Sequence, residues 1–167
     1  MKTNYSLRYA SHPVDAKNYD TQRLRKEFLI DTLFVNDEVN MVYSMYDRMI
    51  VGGVMPKAET LRLEAIDPLK ATYFTTRREI GVFNVGEGEG VVKVGEESFT
   101  LSFKEALYIG SGDRDVLFES KDPQHPAKFY FNSTCAHTSY PCRKVTKQDA
   151  ICAHMGSLEM SNERNIN

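Results

Sequence analysis

Tyr73, Thr75, Arg77, Arg78, Glu79 and Asp113 are the side chains of this 167-residue chain whose types and spacing could do coordination or acid–base chemistry. Glu79 opens the stretch Glu79-Ile-Gly-Val-Phe-Asn-Val-Gly86, a carboxylate ahead of a glycine on strand-forming sequence. A divalent transition metal held between strands needs imidazoles beside a carboxylate, because such ions favour a compact shell of nitrogen and oxygen donors. Glu79 offers one carboxylate and Asp113 could stand in for a histidine, but Tyr73 and Thr75 bring no nitrogen. Two carboxylates alone make a weak, oxygen-only site. The simpler expectation is that Glu79 is an acid of a barrel interior paired with Arg77 or Arg78, and that no metal is bound here.

Arg77-Arg78-Glu79 is a dense charge group on a predicted strand. Strand alternation puts Arg77 and Glu79 on one face and Arg78 on the other. An inward arginine could hold a carboxylate bidentately; the plainer alternative, a structural ion pair or a subunit contact, is favoured. Cys135-Ala-His137 and Cys152-Ala-His154 repeat a tripeptide that two pairs could turn into a zinc site. They flank Tyr140-Pro141 and a polar segment rather than a knuckle turn, so coincidence is preferred. Gly86-Glu-Gly-Glu-Gly90 lacks the strand–loop–helix setting of a phosphate loop, and its glutamates would repel phosphate; it reads as a turn. His12 and His125 each adjoin a proline and read as surface residues.

These side chains must be positioned by strands. Residues 1–31 read as a polar arm and a helix over Asp20–Ile30, capped by Asp20 or Thr21 with Leu24 and Phe28 as an i,i+4 apolar edge. Residues 32–141 have strand texture, with turns at roughly ten-residue intervals as in a sandwich or barrel. The Gly52-Gly53 pair predicts a bulge or close packing. Residues 142–167 lose apolar density and read as a linker toward a second domain not in this chain. The net charge of −2 and dispersed basic residues argue against a nucleic-acid or polybasic membrane partner. Three cysteines and a polar N-terminus predict a soluble, cytoplasmic chain without a disulfide framework.

The frame from residue 73 to residue 113 resembles the metal motif of the cupins, with Tyr73, Thr75 and Asp113 at the histidine positions and Glu79 at the glutamate position. The expected fold is therefore all-β: a cupin-type double-stranded β-helix barrel, or jelly roll, with a short N-terminal helix. Other segments extend the match: Asp20–Leu29, Met41–Ser44, Asp47–Pro56, Arg77–Gly86, Ala106–Gly112, Pro126–Tyr130, Ala136–Pro141 and Ser161–Asn167. In order and spacing they resemble the N-terminal half of the 5-keto-4-deoxyuronate isomerases (4-deoxy-L-threo-5-hexosulose-uronate ketol-isomerases).

That resemblance implies a cytoplasmic, zinc-dependent, hexameric bicupin of pectin and uronate breakdown. It would interconvert 5-dehydro-4-deoxy-D-glucuronate and 3-deoxy-D-glycero-2,5-hexodiulosonate. The zinc ligands and the catalytic residues would lie in the C-terminal cupin, outside this chain, which would by itself bind no cofactor and be inactive. Tyr73, Thr75, Glu79 and Asp113 would be degenerate metal slots rather than ligands, with Arg77 and Arg78 as candidate contacts to the sugar acid. The chain's partners would be its own C-terminal cupin and other copies of itself. The competing expectation is a stand-alone, metal-less cupin that binds a sugar acid or drives oligomerisation.

Overall fold

Strand-forming runs punctuated by tight turns build most of the chain, and the computed structural model describes residues 2–166 of it. Met1, at the start of the arm, and Asn167, the last residue of the linker segment, lie outside the described residues. The strands are β1 (Lys2–Arg8), β2 (Glu38–Ser44), β3 (Ile50–Val54), β4 (Leu61–Arg62), β5 (Arg78–Asn84), β6 (Gly90–Val94) and β7 (Glu97–Leu101). They continue as β8 (Ala106–Ile109), β9 (Val116–Ser120), β10 (Phe129–Cys135), β11 (Arg143–Val145), β12 (Ala153–Met155) and β13 (Arg164–Ile166). Two short helices, α1 (Pro13–Ala16) and α2 (Thr21–Phe28), precede β2.

A seven-stranded sheet runs in the order β1-β2-β3-β10-β5-β8-β11, and a four-stranded sheet in the order β4-β9-β6-β7. Their inner faces share one core. Ile80, Val82, Leu107, Phe129 and Phe131 of the large sheet meet Val92, Leu101, Val116 and Phe118 of the small one. Phe118 and Phe129 touch across the gap with ring centroids 5.3 Å apart. Two sheets, antiparallel throughout except for the parallel β1–β2 edge pair, pack on a common apolar interior and make the jelly-roll barrel that the strand spacing and the cupin resemblance predict.

The glycine pair resolves as close packing. A Cβ on Gly52 would fall 2.2 Å from Phe131 Cζ, and one on Gly53 would fall 2.7 Å from the Leu33 carbonyl oxygen. Gly52 thus leaves room for the Phe131 ring, and Gly53 leaves room for the close approach of Leu33.

Asp20 caps α2 by accepting from the Arg23 amide at 2.8 Å. The helix is shorter than the 20–30 pattern, ending at Phe28, and its Leu24–Phe28 edge stays exposed. Sequence patterning gave no sign of β1, which pairs in parallel with β2 from Lys2↔Glu38 to Arg8↔Ser44. Tyr5 and Leu7 are both exposed, so this edge strand carries no buried stripe to betray it. At the other end β11 joins β8 within the segment that reads as a linker, and β12 and β13 form a separate two-stranded sheet.

Candidate functional site

The pleat of β5 decides which charges enter the barrel. Arg78, Ile80, Val82 and Asn84 face inward, and Glu79, Gly81 and Phe83 face outward. Glu79 therefore does not lie in the interior beside Arg77 or Arg78, contrary to the expectation. It accepts a hydrogen bond from Tyr108 Oη at 2.7 Å on the outer face of the sheet. The physical reason is register: the side-chain period of a strand is two, so an offset of one residue moves a group to the opposite face. Ile80 holds the inward place next to it, 1% exposed. Burial and the Glu79 hydrogen bond together push the Tyr108 hydroxyl up to about 12.

The other motif positions are partly gathered at the entry to β5. Thr75 is fully buried, and its hydroxyl donates to the Gly112 carbonyl at 2.7 Å, with the Arg114 carbonyl at 3.3 Å. Thr76 Oγ1 donates to Asp113 Oδ1 at 2.6 Å, and the Gly112 amide donates to the Thr75 carbonyl at 2.8 Å. Residues 75–76 and 112–114 are thereby laced together. Tyr73 bridges to Glu64, and its backbone carbonyl accepts from the Thr76 amide at 3.3 Å.

Zinc, implied by the family resemblance, does not fit the donors of this chain. Thr75 spends its hydroxyl proton on a carbonyl, Asp113 is engaged by Thr76, Glu79 faces outward, and no imidazole joins them. Among the described residues no group of three or more His, Cys, Asp or Glu side chains converges as a metal shell. Cys135 and Cys152 are free thiols, His154 bonds to Asn165, His12 caps α1, and exposed His125 pairs with Asp122.

Arg78 is the side chain with the most unusual setting. It is 3% exposed and lines a cavity of ≈ 140 Å³ at the end of the barrel where β5 begins and β10 ends. Its Nε donates to Ser133 Oγ at 3.1 Å, and its Nη2 donates to the Arg48 and Ser133 carbonyls at 2.6 and 2.8 Å. Nη1 reaches Cys135 Sγ at 3.5 Å, and the guanidinium sits 5.7 Å from the centre of the Tyr43 ring. Burial lowers its affinity for the proton, yet a guanidinium stays charged at any ordinary pH. Arg77 stands exposed at the rim, with its Nη2 donating to the Leu69 and Lys70 carbonyls.

Sequence reasoning singled out Arg77 and Arg78 but missed the groups that hold them. Asp47 and Arg48 both adopt left-handed backbone (φ 52° each) in the β2–β3 turn, and that turn delivers the Arg48 carbonyl to Arg78. No local pattern ties residue 48 or Ser133 to residue 78.

Comparison with known proteins places this geometry among relatives. Residues 28–167 match the profile of the KduI/IolB family. The chain is 68% identical over 167 residues to a 4-deoxy-L-threo-5-hexosulose-uronate ketol-isomerase of Bacteroides fragilis, covering all of this chain and 59% of the relative. It is 51% identical over 167 residues to the protein of the same name from Formosa agariphila, again covering 59% of it. The chain thus spans about three-fifths of the length of these curated relatives. Among solved structures, an IolB-like protein from Salmonella typhimurium superposes with a TM-score of 0.51 at 15% identity, over 70% of this chain and 42% of that one. That likeness concerns the fold alone.

Proposed function

The chain belongs to the KduI/IolB family, and from that premise we propose that it serves as the N-terminal part of a zinc-dependent ketol-isomerase. The reaction is the interconversion of 5-dehydro-4-deoxy-D-glucuronate and 3-deoxy-D-glycero-2,5-hexodiulosonate, a step of pectin and uronate catabolism. The observation that carries this reading is the 68% identity to a named ketol-isomerase along the whole chain. Moving a carbonyl between neighbouring carbons requires a base that takes the proton next to it and returns it one carbon along. The inward face of β5 offers Arg78, Ile80, Val82 and Asn84, none of them a base at neutral pH. We therefore place the zinc ligands and the base in the part of the relatives beyond the matched segment. This chain supplies barrel, subunit contacts in a cytoplasmic hexamer, and contacts to the sugar acid.

A second reading, a stand-alone cupin that binds a sugar acid or assembles copies of itself, draws on the Arg78 cavity. One experiment separates them: assay isomerisation by the 167-residue chain alone and by the chain fused to the remaining segment of the Bacteroides fragilis relative. Turnover by the fusion alone supports the first reading. A folded, zinc-loaded fusion without turnover, or turnover by the chain alone, refutes the placement of the chemistry.

A further inference from the structure

The two ends of the inward face of β5 are both polar, and their hydrogen bonding differs. Asn84 is fully spent. Its amide donates to the Gly88 and Leu101 carbonyls at 2.8 and 2.9 Å, and its oxygen accepts from the Gly86 and Lys128 amides at 3.1 and 3.3 Å. A buried amide with both donors and both lone pairs used is a structural fastener.

Arg78 is not spent. A guanidinium has five N–H groups. Three go to neutral oxygens and one goes to the thiol of Cys135 at 3.5 Å, a poor acceptor. That leaves one Nη1 hydrogen with no acceptor among the described residues. Nor does any carboxylate among them lie within ion-pair distance, so a full positive charge is buried with only neutral acceptors around it. A buried charge without a counter-charge is costly, and breaking up or omitting its partner is destabilising. The adjoining cavity supplies the missing place.

The cavity's chemistry is specific. Its charged lining residues are Arg48, Arg77 and Arg78, with no acid among them, and its remaining walls include Tyr43, Phe74 and Leu69. The ≈ 140 Å³ volume matches about four to five water molecules at ~30 Å³ each, enough for a carboxylate and the carbons directly behind it. A planar guanidinium matches a planar carboxylate, and the apolar walls suit a carbon skeleton, which inorganic anions lack.

We infer that the cavity bounded by Arg78, Arg77 and Arg48 binds the carboxylate of a small organic acid, with Arg78 at its floor and Arg77 closing over it. The choice of a sugar acid as occupant rests on the ketol-isomerase reading; the carboxylate chemistry rests on the cavity.

The test is an NMR titration of the ¹⁵N-labelled chain with sodium D-glucuronate, sodium acetate, D-glucose and sodium phosphate at matched ionic strength. Saturable shifts of the Ala71, Arg78 and Cys135 amides are expected with glucuronate and not with glucose. Acetate matching glucuronate supports the site and assigns recognition to the carboxylate alone; weaker acetate binding supports a sugar-acid occupant. Arg77→Ala removes a rim residue whose side chain is exposed, and should weaken glucuronate binding by about tenfold, the loss of one charge-assisted contact. Arg78→Lys keeps the charge without the planar fork and should abolish saturation, with the spectrum itself reporting that the variant is folded. Equal shifts with glucose, no saturable shift with either carboxylate, or phosphate acting at far lower concentration would overturn the inference. Because the titration reads binding and not turnover, its failure leaves the isomerase reading standing, and the reverse holds too.

Discussion

Replacing Asn84 by aspartate changes one buried group at the C-terminal end of β5 and should make stability depend on protons. The native amide donates to the Gly88 and Leu101 carbonyls and accepts from the Gly86 and Lys128 amides, all in a fully buried setting. In Asn84→Asp both acceptor roles survive, but an ionised oxygen then faces two carbonyl oxygens. Leaving two buried carbonyls unpaired costs ~1–3 kcal/mol each. The deficit at neutral pH should therefore be about 3–5 kcal/mol, a large share of the ~5–15 kcal/mol that holds a domain together. Burial and the two carbonyls raise the introduced carboxyl's folded pKa above its unfolded value near ~3.9. The folded state then binds more protons than the unfolded state, so the variant regains stability as pH falls through the folded pKa and loses it as pH rises. Urea denaturation of both proteins between mildly acidic and neutral pH checks this, with the wild-type curve subtracted. A deficit below about 1 kcal/mol, smaller than one lost buried hydrogen bond, would refute the reasoning. So would a deficit that does not change with pH.

Tyr108, with a folded value of about 12 against an ordinary 10, contributes stability that is intact below pH 10 and lost as pH rises toward 12. Tyr108→Phe should flatten alkaline denaturation across that window, by about 1 kcal/mol once the solvent around this partly exposed hydroxyl is allowed for; an unchanged alkaline profile would contradict the Glu79 pairing. Gly52→Ala drives a Cβ into the Phe131 ring and should cost ~1–3 kcal/mol in thermal or urea melts, with Phe131→Leu in the same chain recovering part of it. Zinc added to the purified chain and then dialysed away should leave no stoichiometric metal by elemental analysis, and a chelator should not move the melting temperature; retained zinc would revive the Cys135–His137 and Cys152–His154 pairs as ligands.

The barrel was legible because its signals are local. Alternating strand-formers over Val91–Val94 and Ser98–Leu101 around Gly95-Glu96-Glu97 read as a hairpin, and the structure pairs it from Gly90↔Leu101 to Val94↔Glu97, with Glu97 in the strand rather than the turn. Asp20 before an amphipathic run announced α2 and its cap. What could not be read is non-local or featureless. β1 buries no stripe, and its strand character comes from pairing with β2. Thr75 looks like a vacated ligand position in the sequence. In the fold its hydroxyl fastens the entry of β5 to the loop at Gly112, a role that depends on residues 37 positions away.

The most consequential misreading concerns a single residue of register, and its physics carries the functional argument. Read from spacing, Glu79 is the ligand-type group of the interior and the arginines are its partners. The pleat inverts this: Glu79 goes outward to Tyr108, Ile80 fills the inward place, and Arg78 enters. Among the described residues the buried polar and charged side chains are Thr75, Arg78, Asn84 and Ser133, so the one charge in the interior is positive. An interior acid would favour a cation. An interior guanidinium ringed by neutral acceptors, beside a cavity with two further arginines, favours an anion instead. The same strand parity that turns the Glu79 carboxylate outward to Tyr108 turns the Arg78 guanidinium inward, and that is the physical basis on which the proposed carboxylate site rests.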